Sequence, residues 1–344
     1  MVKLAVVGTG LIVKEMLPVW QNMEEIQVEV LCGTARSAEL VEALRDQYGI
    51  PYSYTDYGKM LTNWQKHPAD AIYIAVPNQL HYEMAKEAID CGINVFLEKP
   101  FTPTAEEAQD LIERSRRKPV MLLEAISNQY VPSYEKIREQ LPQLGRICYV
   151  DCNYSQYSTR YDRFLQGDIA PCFDPACWGG ALMDLGVYNV HLLAGLFGAP
   201  QAVTYQASMS RGVDTNGILL LDYDGFRCTA VAAKDSQGPS RFLIQGTEGY
   251  LSVEAGTNTL QGPLQLYLHK DRSCHAIYEP DKTHRMVWEF RALDRILREE
   301  DWQECIRRQE ETLIVSRVLE EAREMIHYGE ENETLARLRS SFWK

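Results

Sequence analysis

The chain has 344 residues, 45% hydrophobic and 24% charged, an ordinary composition for a globular protein with room for two domains. Its formal net charge of −13 argues against nucleic acid as a partner, since phosphate binding needs clustered Lys and Arg. No apolar run approaches the roughly 18 residues that span a bilayer, so we expect no membrane partner. Nine scattered cysteines without a CxxC pair favour a cytoplasmic protein with reduced thiols.

The first third of the sequence alternates short apolar runs with helical patterns, which predicts βαβ units and a doubly wound parallel sheet of the Rossmann type. The predicted strands are Val2–Val7, Val28–Cys32, Ala71–Val76, Ile93–Leu97 and Val120–Glu124. The predicted helices are Ala38–Tyr48, Tyr57–Asn63, His81–Cys91 and Thr104–Arg116, the last with a capping-box spacing from Thr104 to Glu107.

After about residue 122 short segments alternate hydrophobic and polar residues, which predicts an open, mostly antiparallel sheet, preceded by a helix over Ser133–Gln140. The predicted strands are Ile147–Tyr154, Ala202–Met209, Ile218–Tyr223, Cys228–Ala233, Phe242–Gly246 and Leu264–Leu268. The helical, heavily charged segment from Val287 to about His327 is interpreted as a solvated helix face. We therefore expect an α/β chain with a Rossmann domain over residues 1–122 and a second α/β domain over 123–344.

A glycine-containing turn follows the first strand and opens the first helix. Gly8 permits a tight turn, Gly10 lets the backbone approach a pyrophosphate, and the helix N-terminus favours an anion. The candidate phosphate-binding residues are Gly8, Thr9, Gly10, Leu11 and Ile12. Val13 stands where the usual fingerprint has its third glycine, and the alternative is a βα turn without a ligand.

The second strand ends without the acidic residue that NAD-preferring sites use to bind the ribose 2′-OH. The sequence offers instead Thr34, Arg36 and Ser37, whose hydroxyl and guanidinium groups suit a 2′-phosphate. We therefore predict NADP as the cofactor. NAD is the alternative, since an arginine here can stack on the adenine of either dinucleotide.

A lysine follows the predicted strand Ile93–Leu97, in the sequence Glu98-Lys99-Pro100. Open α/β sheets bind ligands at the carboxyl ends of their strands, and the proline favours an extended backbone at Lys99. A lysine held near a dry cofactor cleft can transfer protons. The alternative is a solvated turn.

Cys172, Cys177 and His191 are conceivable metal ligands, but their spacing matches no standard zinc pattern. We therefore predict buried thiols here and no metal site.

Four stretches carry a family resemblance that spans nearly the whole chain: residues 54–61, residues 69–81, Glu98-Lys99-Pro100 and residues 179–188. The first two are similar to the third and fourth βα units of the Gfo/Idh/MocA oxidoreductases, which include glucose–fructose oxidoreductase and the inositol dehydrogenases. The third resembles the EKP motif of that family and the fourth its second-domain signature. These motifs are specific to the family but not to one substrate.

The resemblance implies a catalytic set of Lys99, Asp184 and Tyr188, because the lysine of the EKP motif lines the active site in the family. Asp184, Tyr188 and His191 are spaced i, i+4 and i+7, so that one helix would present all three on the same face. Many inositol-type members of the family carry histidine at the position of Tyr188. A tyrosine at this position resembles the glucose–fructose oxidoreductase and dihydrodiol dehydrogenase branches. His191 is the alternative acid–base and otherwise a helix-packing residue, and Asp184 could simply cap its helix.

The resemblance also implies contacts with cofactor and substrate. Four residues are expected near the nicotinamide end of the cofactor: Val76, Asn78, His81 and Glu98. Six lie on segments expected to line the substrate cleft: Asn128, Tyr130, Tyr157, Arg160, Trp178 and His191. Alternatively, Asn78 and His81 are ordinary loop and helix-start residues, and Glu98 only pairs with Lys99.

The implied activity is that of an NAD(P)-dependent dehydrogenase or reductase, which moves a hydride between the cofactor and a secondary alcohol or ketone of a sugar, inositol or cyclic diol. Lys99 and Tyr188 would handle the alcohol proton, and Asp184 would orient the substrate hydroxyl or the lysine. The open sheet face needs covering, so we expect a homodimer or homotetramer. The alternatives are an NAD-dependent glycoside hydrolase of the same superfamily and a non-enzymatic dinucleotide sensor, which has no need of a proton-transfer set.

Overall fold

The computed structural model describes residues 1–67 and 69–331, with side chains as far as residue 326. The chain forms two compact units. The first comprises Met1–Tyr134 and Asp281–Ser316, and the second comprises Glu135–Pro280 and the chain after Ser316. The expected boundary after residue 122 is thus displaced to residue 134, and residues 281–316 return to the first unit instead of belonging to the second.

The N-terminal part of the first unit alternates strands and helices. The strands are β1 (Val2–Val7), β2 (Ile26–Cys32), β3 (Tyr52–Tyr54), β4 (Ala71–Ile74), β5 (Asn94–Glu98) and β6 (Leu122–Ala125). The helices are α1 (Leu11–Trp20), α2 (Ala38–Tyr48), α3 (Tyr57–Thr62), α4 (His81–Asp90) and α5 (Ala105–Arg117). The strand order is β3-β2-β1-β4-β5-β6 and each neighbouring pair is parallel, which confirms the predicted Rossmann sheet. The order reverses between β1 and β4, where such sheets bind their ligands.

Helix α9 (Val287–Glu299) explains why the chain returns to the first unit. Its Phe290 is completely buried, and the ring packs edge-on against those of Trp20, Tyr73 and Phe96 at centroid distances of 5.1–5.3 Å. Aromatic pairs of this geometry contribute about 0.5–1.5 kcal/mol each beyond the area they bury. Six of the 13 residues of α9 are charged, and the rings that Phe290 packs against lie far along the chain, so the sequence pattern alone did not assign α9 to the Rossmann core.

Helix α10 (Trp302–Glu331) carries the charge run interpreted as a solvated face, and the structure corrects that interpretation. Arg308 is buried, donates to the side-chain and main-chain oxygens of Gln129 at 3.1 Å each, and pairs with Glu304 at 2.8 Å. A buried guanidinium is tolerated here because its charge is paired and its donors are used. Gln309 also donates to a main-chain oxygen of β6 at 3.3 Å, so this face of α10 lies along the edge strand.

The second unit is built on an eight-stranded sheet. Its strands are β7 (Ile147–Ser155), β8 (Ala202–Ser210), β9 (Val213–Tyr223), β10 (Phe226–Ala233), β11 (Arg241–Gly246), β12 (Gly249–Val253), β13 (Leu264–Leu268) and β14 (Ser273–Tyr278). The order is β14-β13-β12-β11-β7-β10-β9-β8, and neighbours are antiparallel except for the parallel pair β7 and β10. The open, mostly antiparallel sheet is therefore confirmed, with β12 and β14 as additions to the predicted strands.

Three helices accompany this sheet: α6 (Pro132–Gln140), which begins just before the unit boundary, α7 (Tyr161–Leu165) and α8 (Val187–Phe197). A π-helical turn, Leu182–Gly186, leads into α8, which packs against β7 and β10. On β9, Ile218 and Leu220 point away from the core and are 48% and 44% exposed. The sheet thus keeps one partly apolar face without a covering layer among the described residues.

One helical stretch, Pro175–Phe197, is long and apolar enough to cross a membrane by length and composition. Because 78% of its apolar window is buried inside the protein, it matches the core helix of a globular fold equally well.

Candidate functional site

Gly8 holds the turn after β1 in a conformation that glycine adopts most readily. Its φ is +126°, and a Cβ atom here would lie 2.1 Å from the carbonyl oxygen of Ala75. Its N–H group donates to the carbonyl oxygen of Cys32 at 2.8 Å. The turn is therefore fixed between the ends of β2 and β4, where the strand order reverses.

Gly10 begins α1 and leaves the start of that helix open to an anion. Among the described residues no side chain caps the helix, and its first turn contains no acid. A Cβ atom at Gly10 would meet no atom within 4 Å, and Leu11 is 64% exposed. Unused N–H groups with space in front of them fit a pyrophosphate. The five predicted phosphate-binding residues, Gly8, Thr9, Gly10, Leu11 and Ile12, together form this turn.

The loop after β2 lies beside the glycine turn, since a Cβ atom on Gly33 would come within 3.2 Å of Thr9 Cγ2. The N–H group of Thr34 donates to Ser37 Oγ at 2.9 Å, so the serine hydroxyl shapes the loop itself. Arg36 is exposed, and in the part of the chain that the structure describes no carboxylate pairs with its guanidinium. An unpaired guanidinium at this loop fits the 2′-phosphate of NADP.

His81 lies in the loop predicted to contact the nicotinamide, but its side chain is completely buried. Nδ1 lies 2.9 Å from the carbonyl oxygen of Pro100, and Nε2 lies 3.0 Å from that of Val76. Burial lowers the pKa of His81, although the two carbonyl groups favour the protonated form. The imidazole thus joins the loop after β4 to the turn after Lys99, and its burial gives no support to a cofactor contact. Val76 and Asn78 are half-buried.

Lys99 follows β5 directly and is half-buried, and its bond to Pro100 is cis. The buried carboxyl group of Glu98 accepts hydrogen bonds from the Tyr73 hydroxyl and, at 3.1 Å, from the N–H group of Lys99. Burial raises the pKa of Glu98, against the opposing effects of Tyr73, Lys99 and Arg285. The carboxyl group of Glu98 therefore fixes the backbone at the strand end, which is the position that the sequence predicts for Lys99.

Asn128 and Tyr130, predicted on the substrate side, lie after β6. Asn128 is completely buried, so its position gives no support to a substrate contact. Tyr130 is half-buried, and the guanidinium of Arg308 lies 4.5 Å from its ring centre.

Asp184 and Tyr188 belong to the second unit. Asp184 lies in the π-helical turn, so the i, i+4, i+7 spacing from it does not give the single face of a regular α-helix. The turn is anchored by Asp214, whose carboxyl group accepts the Leu182 N–H and the Tyr205 hydroxyl, both at 2.7 Å. Burial raises the pKa of Asp214 to about 6, against these two hydrogen bonds.

Gly180 supplies the close approach that the glycine pair at residues 179–180 predicts. Its φ is +124°, and a Cβ atom here would lie 1.9 Å from Asp214 Oδ1. Any side chain at this position would therefore displace the anchor of the π-helical turn.

Lys234 is the lysine that binds Asp184 within this unit, a functional contact not predicted from the sequence. Its Nζ lies 2.7 Å from Asp184 Oδ2, with side chains 2% and 33% exposed respectively. Lys234 directly follows β10, as Lys99 follows β5. The signal that singled out Lys99, a lysine at the end of an apolar strand, could also have found Lys234.

Tyr188 and His191 both lie on α8 and are 6% and 2% exposed. The ring of Tyr188 meets that of Tyr154 edge-on, at a centroid distance of 6.0 Å. The preference for Tyr188 over His191 rests on the sequence, where Tyr188 holds the position that matches the motif.

Three further residues predicted to contact substrate lie between β7 and the π-helical turn. Tyr157 is 39% exposed. Arg160 donates to Cys172 Sγ at 3.4 Å, and the carbonyl oxygen of the same cysteine accepts from Lys234 Nζ at 2.6 Å. Trp178 has a φ of +55° and is half-buried. Cys172 is therefore engaged by basic side chains on both its sulfur and its carbonyl group.

Two family models match most of the chain: "Oxidoreductase family, NAD-binding Rossmann fold" over residues 2–126 and "GFO/IDH/MocA C-terminal domain" over residues 135–252. The scyllo-inositol 2-dehydrogenase (NADP(+)) of Bacillus subtilis is 29% identical over 95% of this chain and 97% of the relative. The D-xylose 1-dehydrogenase (NADP(+)) 2 of Haloferax volcanii is 30% identical over 74% of this chain and 76% of that protein.

A solved structure of a 3-ketoreductase from Actinomadura kijaniata shares the fold, with a TM-score of 0.77 and 18% identity over 94% of this chain and 96% of that one. Sequence and fold agree, and the residue ranges that the two family models match include the glycine turn, Glu98-Lys99-Pro100 and the segment with Asp184 and Tyr188. The chain belongs to the Gfo/Idh/MocA family of oxidoreductases.

Proposed function

We propose that this chain is an NADP-dependent dehydrogenase or reductase that interconverts a secondary alcohol and a ketone on a sugar, inositol or cyclic diol. The observation that carries the proposal is the open start of α1 at Gly10, beside the exposed and unpaired guanidinium of Arg36. Relatives named as NADP(+)-dependent inositol and xylose dehydrogenases support the same cofactor and substrate class.

The residues of the first unit fit the cofactor. Gly8 shapes the turn, and the first turn of α1 after Gly10 would hold the pyrophosphate, because no side chain caps this helix start among the described residues and a Cβ atom at Gly10 would meet no atom within 4 Å. Arg36 would pair with the 2′-phosphate of NADP through charge-assisted hydrogen bonds. When bound, the nicotinamide accepts or supplies the hydride.

The chain's own part in the chemistry is proton transfer. In the oxidising direction Lys99 and Tyr188 take up the proton of the substrate hydroxyl, and in the reducing direction they return it. An ammonium group and a phenol are both side chains that can exchange a proton with an alcohol. Asp184, partly exposed and fixed by Lys234, orients the hydroxyl that reacts.

A substrate panel tests this proposal. The protein is mixed with NADP(+) and inositols, aldoses or cyclic diols, and the absorbance of the reduced nicotinamide is followed. We expect NADPH to form with at least one polyol, and NADH to form more slowly when NAD(+) replaces NADP(+). Lys99→Ala should form NADPH roughly 10²–10⁴-fold more slowly than the wild type. Cofactor binding without turnover across the panel would contradict the proposal, and cleavage of a glycoside without net NADPH would favour the hydrolase.

We further propose a homodimer or homotetramer that works in the cytoplasm. The uncovered sheet face with Ile218 and Leu220 supports self-association, since monomeric proteins rarely leave large apolar patches exposed. All nine cysteines lie among the described residues and none of them forms a disulfide bond there, which supports a reducing compartment.

A further inference from the structure

Lys234 carries a charge that is enclosed inside the second unit. Its Nζ donates to Asp184 Oδ2 at 2.7 Å and to the carbonyl oxygen of Cys172 at 2.6 Å, and lies 4.1 Å from the ring centre of Phe173. A buried ammonium is costly unless it is paired and hydrogen-bonded. Asp184 supplies the opposite charge, so the two side chains depend on each other.

The main chain of Lys234 is fixed as firmly as its side chain. Its N–H group donates to the carbonyl oxygen of Thr215 at 2.8 Å, and its own carbonyl oxygen accepts from the N–H group of Ser158 at 2.8 Å. The ammonium therefore approaches Asp184 from one fixed direction.

Asp184 is held on its other side by the π-helical turn. Its N–H group donates to the carbonyl oxygen of Gly180 at 3.1 Å, and the Leu182 N–H is bound by Asp214 at 2.7 Å. Its side chain nevertheless stays 33% exposed. Asp184 is thus a carboxylate fixed from inside the protein and still accessible from outside.

We propose that Lys234 is a positioning residue for the reaction: it keeps the Asp184 carboxylate charged and in one orientation, so that Asp184 accepts a hydrogen bond from a substrate hydroxyl. This inference rests on the proposed function. An ammonium at hydrogen-bond distance favours the charged form of a carboxyl group. Without it, Asp184 loses this hydrogen bond and the opposite charge next to its carboxylate.

Other charged groups of this cluster have partners of their own among the described residues. Asp214 and Asp235 are acids, and Asp235 is itself held by Thr215 and Asn216. Arg160 is the nearby base, and its guanidinium donates to Cys172 Sγ instead.

The first test needs no substrate. The side-chain carboxyl signals of ¹³C-labelled Asp are followed against pH in the full-length wild type and in Lys234→Met, with Asp184→Asn to identify the Asp184 signal. We expect this signal to titrate at a higher pH in Lys234→Met but not in Lys270→Met, which changes an exposed lysine of the same unit. Identical titration of Asp184 in wild type and Lys234→Met overturns the inference.

Kinetics with any substrate found in the panel provide the second test. We expect kcat to fall roughly 10²-fold in Lys234→Met with little change in cofactor affinity, because misplacement of a reacting group costs rate. Adding Lys234→Met to Asp184→Asn should cost nothing further, since Lys234 acts through Asp184. A full additional loss would overturn the inference.

Lys234→Met leaves no buried charge, since the remaining Asp184 carboxylate is partly exposed, and the double variant removes the buried ammonium that Asp184→Asn alone would leave without its carboxylate. A wild type that turns over no substrate would count against the proposed function, whereas the titration of Asp184 decides the role of Lys234 separately.

Discussion

Two buried carboxyl groups of the first unit, Glu98 and Glu289, influence each other's charge. Glu98 is 8% exposed and Glu289 is 1% exposed, and among the described residues neither carboxyl oxygen of Glu289 has a hydrogen-bond partner. Burial raises the pKa of Glu289 well above its usual range, the charge of Glu98 raises it further, and Arg285 opposes both. Glu289 therefore holds its proton in the folded protein at a pH at which the unfolded chain has lost it.

Because Glu289 keeps its proton in the folded state, the free energy of unfolding depends on pH. Above the unfolded pKa of about 4.3 the folded state binds more protons than the unfolded state, so this carboxyl group lowers stability as pH rises. Glu289→Gln should raise the free energy of unfolding at neutral pH by about 1–3 kcal/mol and flatten its fall as the pH rises above about 4.3. Thermal unfolding against pH measures this, with Glu310→Gln on the exposed face of α10 as control. A gain that is the same at every pH would contradict the assignment.

The second prediction at the scale of single residues concerns Arg36. Arg36→Ala should weaken NADP(H) binding by roughly 10–100-fold and leave NAD(H) nearly unchanged, because only the former offers a 2′-phosphate to the guanidinium. Calorimetric titration of both cofactors measures the difference. Equal affinities of the wild type for NADP(H) and NAD(H), or an equal loss of affinity for both in Arg36→Ala, would contradict the predicted preference for NADP.

Single residues were predictable where the local sequence decides their place. Lys99 follows an apolar strand and precedes a proline, and both signals are contiguous. His81 and Lys234 depend on partners 19 and 50 residues away, Pro100 and Asp184, which no local pattern reveals. Burial of His81 in particular needs the packed structure.

At the scale of elements, two substitutions in the turn from β1 to α1 should distinguish an effect on folding from an effect on cofactor binding. Gly10→Val should fold normally but lose cofactor binding, since a Cβ atom at Gly10 meets no atom of the chain within 4 Å and points to the space left for the ligand. Gly8→Ala should unfold at lower temperature, because its Cβ would meet the carbonyl oxygen of Ala75 at 2.1 Å and its φ is +126°. Melting temperature and cofactor affinity are measured for both. Normal cofactor binding by Gly10→Val would refute the phosphate site.

Elements with strong local signals were predicted well. The capping box of α5 is present, with the Glu107 N–H donating to Thr104 Oγ1 at 3.2 Å and Glu107 reaching back to the N–H of Thr104. The π-helical turn at Asp184 was not predicted, because its extra residue follows from the anchor at Asp214, 30 positions along the chain from Asp184 and outside any local pattern. Strand β12 was missed because its short apolar pattern resembles a turn region.

At the scale of the whole molecule, the sheet of the second unit predicts self-association. Light scattering should show a dimer or tetramer, and Ile218→Asp with Leu220→Asp should shift it toward the monomer, since both side chains lie on the uncovered face. Leu165→Asp, at 49% exposure outside the sheet, is the matched control. A wild type that is strictly monomeric would exclude the assembly.

The most direct test of the whole account is the turnover of wild type, Lys99→Ala, Tyr188→Phe and the double variant with NADP(+) and an active polyol. Each single change should lower turnover by roughly 10²–10⁴-fold, the double variant should be little worse than either, and cofactor affinity should change little in Tyr188→Phe. His191→Ala should affect mainly stability. Loss of turnover in His191→Ala together with a nearly silent Tyr188→Phe would contradict the account and assign the acid–base role to the histidine.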